Sequence, residues 1–205
     1  MTASSPSLAE RERAALADLL DEVGPDAPTC CAGWTTAHLA AHLVVRDRRP
    51  DAMLGFGLER LPLGRPLVTR SHRLEDRLRE STPYAEVVSR VRSGPPVWLP
   101  VAWPGAARLL NTTEFAIHHE DVRRAQPDWA PRELPRGAQD ALWGPARLFA
   151  RGSAGRHPGG LLLRRSDVPG VEKRIGRGSM TVEGEPMELL LWAAGRRDVA
   201  KVTVQ

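Results

Sequence analysis

The chain has 205 residues, 41% of them hydrophobic, with six tryptophans. That suits one medium domain or a larger one with a small companion, and excludes wholesale disorder. The formal net charge of +4 raises nucleic acid as a partner, but nearly every base is arginine, with only Lys173 and Lys201 as lysines. In RERAALADLLDE and RLEDRLRE the arginines alternate with acids, as on solvated helix faces with local ion pairs, so no nucleic-acid partner is expected. The apolar runs at 39–45 and 189–194 are too short to span a bilayer. MTASSPSLAERERAALADLL lacks the basic start and apolar centre of a signal peptide, so a cytoplasmic protein without membrane partners is expected.

Leu8, Ala15, Leu16, Leu19, Leu20 and Val23 recur at helical spacing and predict a helix over 7–23, ended by GPDAP. Cys30 and Cys31 follow. Adjacent cysteines rarely reach disulfide geometry, and no other cysteine offers a partner, which fits a reducing compartment. They read either as a nucleophile or ligand, or as small buried side chains before a helix. Thr35 or Thr36 opens a second helix over 35–49, stopped by Pro50. A Gly/Pro-rich connector carrying Leu54, Phe56, Leu58 and Leu61 comes next, then a charged amphipathic pattern over 70–92 interrupted at Pro83. SGPPVWLP is a turn, Pro104 precedes a helix over 105–126, and a further helix spans 135–152.

After a linker at 153–160, LLLRR and SMTVEG read as short strands, EPMELLLWAAG as a helix ended by Gly195, and AKVTVQ as a closing strand. The expected fold class is mainly α: a helical bundle over 1–152, followed by a small α+β module over 153–205.

The densest chemistry lies in NTTEFAIHHEDVRR, which sets Glu114 four residues before His118. At about 100° per residue these two share a helix side with Asp121, Leu110, Ile117 and Val122, while His119, Glu120, Arg123 and Arg124 fall opposite. A carboxylate facing the core is costly unless it is paired or coordinates a metal, so the pair reads as half of a metal site. The second helix supplies the other half. TTAHLAAHLVVR places His38 and His42 four apart, and His42, between Leu39 and Val45, is the ligand in the more apolar part. The plainer readings are a hydrogen-bonded core histidine and a buried ion pair. Two inward half-sites on two helices of a bundle are how bundles build metal centres. His119 takes no ligand role. Asp121 reads either as the carboxylate that orients the His118 ring or as a surface ion-pair partner of Arg124 or Arg46.

CAGWTTAHLAAHLVVRDRRP and NTTEFAIHHEDVRRAQPDW resemble the actinobacterial metal-binding branch of the DinB-like superfamily, whose members include mycothiol-dependent maleylpyruvate isomerase. VEGEPMELLLWAAGR is similar to that branch's C-terminal α/β module, which resembles a sterol-carrier-type domain. The resemblance implies a metal triad of His42, Glu114 and His118. Zinc is the first choice, although mixed N/O ligation also suits nickel, iron or manganese. It further implies mycothiol as thiol cosubstrate, an electrophilic small-molecule substrate and a homodimer. The thiolate would add to a conjugated cis double bond, permit rotation and leave, or attack an electrophilic carbon and stay attached. Arg46, one turn after His42, is the candidate for holding a carboxylate of thiol or substrate; a solvent-exposed helix cap is the simpler account. The competing function is a metal-binding or small-ligand-binding protein without turnover.

Overall fold

Among residues 5–49, 64–96, 98–99 and 106–205, which the computed structural model describes, there are seven α-helices and a four-stranded sheet. The connector residues Leu54, Phe56, Leu58 and Leu61, and Pro104, lie outside the described residues. Two compact units divide at Trp129/Ala130. The division expected from linker composition lay later, at 152/153. The helix at Arg136–Ser153 accounts for the difference, because it packs against the helix at Pro186–Ala193.

The first unit contains α1 (Leu8–Val23), α2 (Thr36–Arg48), α3 (Gly64–Ser81), α4 (Tyr84–Ser93) and α5 (Ala106–Arg123). Ser7 and Glu10 cap α1 reciprocally: the Glu10 N–H donates to Ser7 Oγ at 3.3 Å, and the Ser7 N–H donates to Glu10 Oε2 at 2.7 Å. At the start of α2 the Thr35 N–H donates to His38 Nδ1 at 3.2 Å. His38 is thereby committed to the cap, one turn before His42. Pro83 separates α3 from α4, as the sequence predicts, because proline lacks the N–H that a continuous helix needs.

α1 packs on α5 and α4, and α2 packs on α3 and α4. Leu16, Leu20, Leu39, Leu43 and Phe115 meet in the core, each at most 1% exposed. Each such burial is worth about 1.5–3 kcal/mol. The core lies directly against the polar centre described below, because Phe115 immediately follows Glu114.

The second unit begins with α6 (Arg136–Ser153) and continues through β1 (Leu161–Arg165), β2 (Glu172–Ile175), β3 (Met180–Gly184), α7 (Pro186–Ala193) and β4 (Thr203–Val204). The sheet order is β2-β1-β3-β4. β1 and β3 are parallel, and the two outer pairs are antiparallel. β2 is a strand that the sequence reading did not contain. EKRI is an edge strand with no residue fully buried, so it lacks the apolar signal of β1. Gly160 is required where β1 begins: its φ is +83°, and a Cβ there would stand 2.1 Å from the Ile175 carbonyl oxygen. Gln139 of α6 caps α7, accepting the Met187 N–H at 3.1 Å while its own amide donates to Glu185 at 2.6 Å. No helix of the described residues is long and apolar enough to cross a membrane.

Candidate metal centre

Residues on α2, α3 and α5 converge inside the first unit. The Nε2 atoms of His42 and His118 each lie 3.2 Å from the same oxygen, Oε1 of Glu114. Donor atoms of the three residues all fall within 4.8 Å of one another. His42 and His118 are buried, whereas the Glu114 side chain keeps 27% of its surface. The centre is thus closed on its imidazole sides and more open at the carboxylate.

Each ring is held at its other nitrogen by a second carboxylate. His42 Nδ1 stands 2.9 Å from Glu75 Oε1, and His118 Nδ1 stands 2.9 Å from Asp121 Oδ2. Asp121, fully buried, therefore orients the His118 ring, which is the first of the two readings the sequence allowed. Glu75 is a site residue that sequence reasoning missed. It lies in RLEDRLRE, whose alternating charges read as a solvated face, yet it is 8% exposed and turned into the bundle. Its second oxygen, Oε2, is 3.2 Å from His72 Nδ1. The signal that could have found it is the i, i+3 pair of His72 and Glu75 on a helix adjoining the His42 helix.

Burial alone would lower the pKa of both imidazoles, but the carboxylates outweigh it. Glu114 and Glu75 raise His42, and Asp121, Cys31 and Glu114 raise His118 well above the ordinary histidine value. Burial would likewise raise Glu114, yet hydrogen bonds from His118 and His42 and the nearby Arg46 charge hold it well below the usual carboxylate range. Glu75 is lowered too: burial works against this, and His42 and His72 prevail.

Arg46 is buried, so the exposed-cap account is replaced. Its Nη1 donates to Asp47 at 2.8 Å and Asn111 at 3.0 Å, and its Nε is 3.6 Å from Glu114 Oε1. The far side of α5 is enclosed as well. His119, Glu120 and Arg124 are all buried, because α1 covers that side: His119 Nδ1 meets Glu12 at 2.8 Å, and Arg124 pairs with Glu120 at 2.5 Å. His119 is thus occupied away from the centre.

The donor set fits a divalent cation. Ligand atoms held ~2.0–2.2 Å from a tetrahedral zinc lie about 3.4 Å apart, close to the two 3.2 Å separations seen here. A carboxylate on the outer nitrogen of each ring is the usual support of a metal-bound histidine. A cavity of about 250 Å³ opens beside Glu75, lined also by Trp34, His38 and His72, on the outer side of that support.

Two solved structures share the fold of this chain, a helical bundle followed by a small α/β unit. They are mycothiol-dependent maleylpyruvate isomerase and a histidine-to-alanine variant of that enzyme. Both match with a TM-score of 0.57 over 97% of this chain and 90% of theirs, at 17% and 18% identity. The DinB-like resemblance read from the sequence is borne out at the level of the fold. No protein-family model matches the sequence, and no curated protein matches it.

Proposed function

We propose that this protein binds a divalent cation, zinc as first choice, through His42, Glu114 and His118, and uses it in a thiol-dependent isomerisation or S-transfer. The observation that carries the reading is the convergence of two imidazole nitrogens on one Glu114 oxygen, with Glu75 and Asp121 behind the rings. A cation bound by three protein ligands keeps an open position, where it supplies the charge that holds a small thiol as its thiolate at neutral pH. Mycothiol is the thiol named for the isomerase that shares the fold. The co-reactant would be a small electrophile.

This chain's own residues do the positioning. Glu75 and Asp121 fix the tautomer and tilt of each ring, so that both Nε2 atoms stay aimed inward. Arg46 orients Glu114 through its 3.6 Å contact, and places a permanent cation where a carboxylate of thiol or substrate would be drawn. The buried imidazoles of the centre keep bulk water off two sides of it.

Elemental analysis of purified protein beside His42→Ala, Glu114→Ala and His118→Ala tests the cation. Near-stoichiometric metal is expected in the wild type, with a large loss in each variant. Equal metal across the series would remove the site. Incubation of the loaded protein with mycothiol and electrophilic test substrates then separates enzyme from binding protein. Conversion of substrate that requires both thiol and Glu114 is expected, with the thiol recovered in an isomerisation and consumed in an S-transfer; metal without either conversion would leave a metal-binding or small-ligand-binding role.

A further inference from the structure

We propose that Cys31, His118 and Asp121 form a second cation site, selective for a thiophilic divalent ion, on the opposite edge of the His118 ring from Glu114. Cys31 Sγ lies 3.2 Å from Asp121 Oδ2 and 4.0 Å from His118 Nδ1, and these last two atoms are 2.9 Å apart. The three donor atoms fall within 4.8 Å of one another. For zinc, bonds of ~2.3 Å to sulfur and ~2.0–2.1 Å to nitrogen imply donor separations of about 3.3–3.6 Å. To reach that spacing the thiol closes on Nδ1 by about 0.5 Å, and Nδ1 and Oδ2 part by a similar amount as the proton between them leaves. A thiolate beside nitrogen and oxygen favours soft ions over magnesium or calcium.

The loop that carries the thiol is fixed in place. The Cys30 N–H donates to the Asp121 backbone carbonyl at 2.8 Å, tying the loop to α5. The Cys31 N–H donates to Thr29 Oγ1 at 3.1 Å, and the Trp34 N–H donates to the Cys31 carbonyl at 2.9 Å. Cys31 is only half-buried, whereas Asp121 is fully buried, so an ion can reach the thiol from its own side. Loading this site forms bonds to Sγ, Nδ1 and Oδ2 and releases two protons to the buffer, one from the thiol and one from Nδ1. With both sites filled, His118 is an imidazolate bridging two cations. Their repulsion makes the second equivalent bind more weakly than the first.

The site shares His118 with the proposed centre but does not need His42 or Glu114, so the two readings fail separately. Cadmium titration of the full chain tests it, with bound metal measured by equilibrium dialysis and the cadmium–thiolate charge-transfer band read in the ultraviolet. The wild type should bind two equivalents and develop the band. Cys31→Ser should bind one equivalent without the band, and Cys30→Ser should match the wild type. His42→Ala should keep the band with one equivalent fewer. Absence of the band in the wild type, or its survival in Cys31→Ser, would overturn the proposal. A wild type that shows the band with one equivalent, and a His42→Ala variant that matches it, would instead count against the first centre. Circular dichroism of each variant checks that the bundle is intact; serine preserves the shape of the Cys31 side chain.

Discussion

At the scale of single residues, the centre at His42, Glu114 and His118 depends on carboxylates that are not ligands of its own cation. Glu75 and Asp121 each hold an outer ring nitrogen at 2.9 Å. Glu75→Gln and Asp121→Asn keep the volume of the side chain but remove its charge, and either should weaken metal affinity about 10–100-fold without unfolding the bundle. Competitive titration with a chelating dye measures this, and an affinity unchanged in both variants would show that the rings need no such support. The protonation chemistry has a definite direction. Without metal, both imidazoles have pKa values raised above 6.5, so their contribution to stability is complete below that value and is lost as pH rises through the raised ones. Glu75 and Glu114, lowered from 4.5, contribute above that value and lose the contribution as pH falls. A cation must displace the Nε2 protons, so its affinity should fall on acidification, beginning at a higher pH than a free histidine would give. Titrations at several pH values check this, and an affinity that is flat across neutral pH would contradict it.

At the scale of elements, α5 explains both what the sequence made legible and what it hid. Its four-residue spacing brings Glu114 and His118 to one side, and the same rule singled out His42 on α2; the structure brings all three together. A helical wheel assumes one wet face. α5 has none over most of its length, since Phe115, Ala116 and Val122 are buried along with His119, Glu120 and Arg124. A helix enclosed on several sides can bury charges only in pairs, and those partners, such as Glu12, come from elements distant in sequence. Glu75 was hidden for the related reason that its neighbours really are exposed: Asp76 and Arg79 pair on the outside of α3 while Glu75 turns inward. β2 escaped because an edge strand need not be apolar. The contact of α4 with α1 yields a prediction of its own. Tyr84, the sole tyrosine of the chain, donates its hydroxyl to the Leu20 carbonyl at 2.9 Å, and burial pushes its phenol up to about 12. Absorbance titration should therefore show no tyrosinate near pH 10. This raised pKa contributes stability below pH 10 that is lost as pH rises through the folded value. Tyr84→Phe should cost about 1 kcal/mol in denaturant unfolding, and ionisation of Tyr84 at its ordinary pKa would refute the clamp.

At the scale of the whole molecule, the ligands come from segments 72 residues apart, so a cation bound by them ties α2 to α5. The unfolded chain cannot hold that arrangement, and binding energy therefore becomes folding energy. At free metal 100-fold above Kd the first unit should gain about 2.7 kcal/mol. Thermal melts with metal and with chelator should differ for the wild type, and the difference should shrink in His42→Ala, which keeps only the weaker site at Cys31; equal melts in the wild type would mean that the folded and unfolded chains bind metal alike. The most direct measurement is anomalous scattering from a crystal of the zinc-loaded protein, collected on both sides of the zinc absorption edge. The predicted result is a peak within bonding distance of His42 Nε2, His118 Nε2 and a Glu114 oxygen. Bound zinc with no peak among those three atoms would contradict the account.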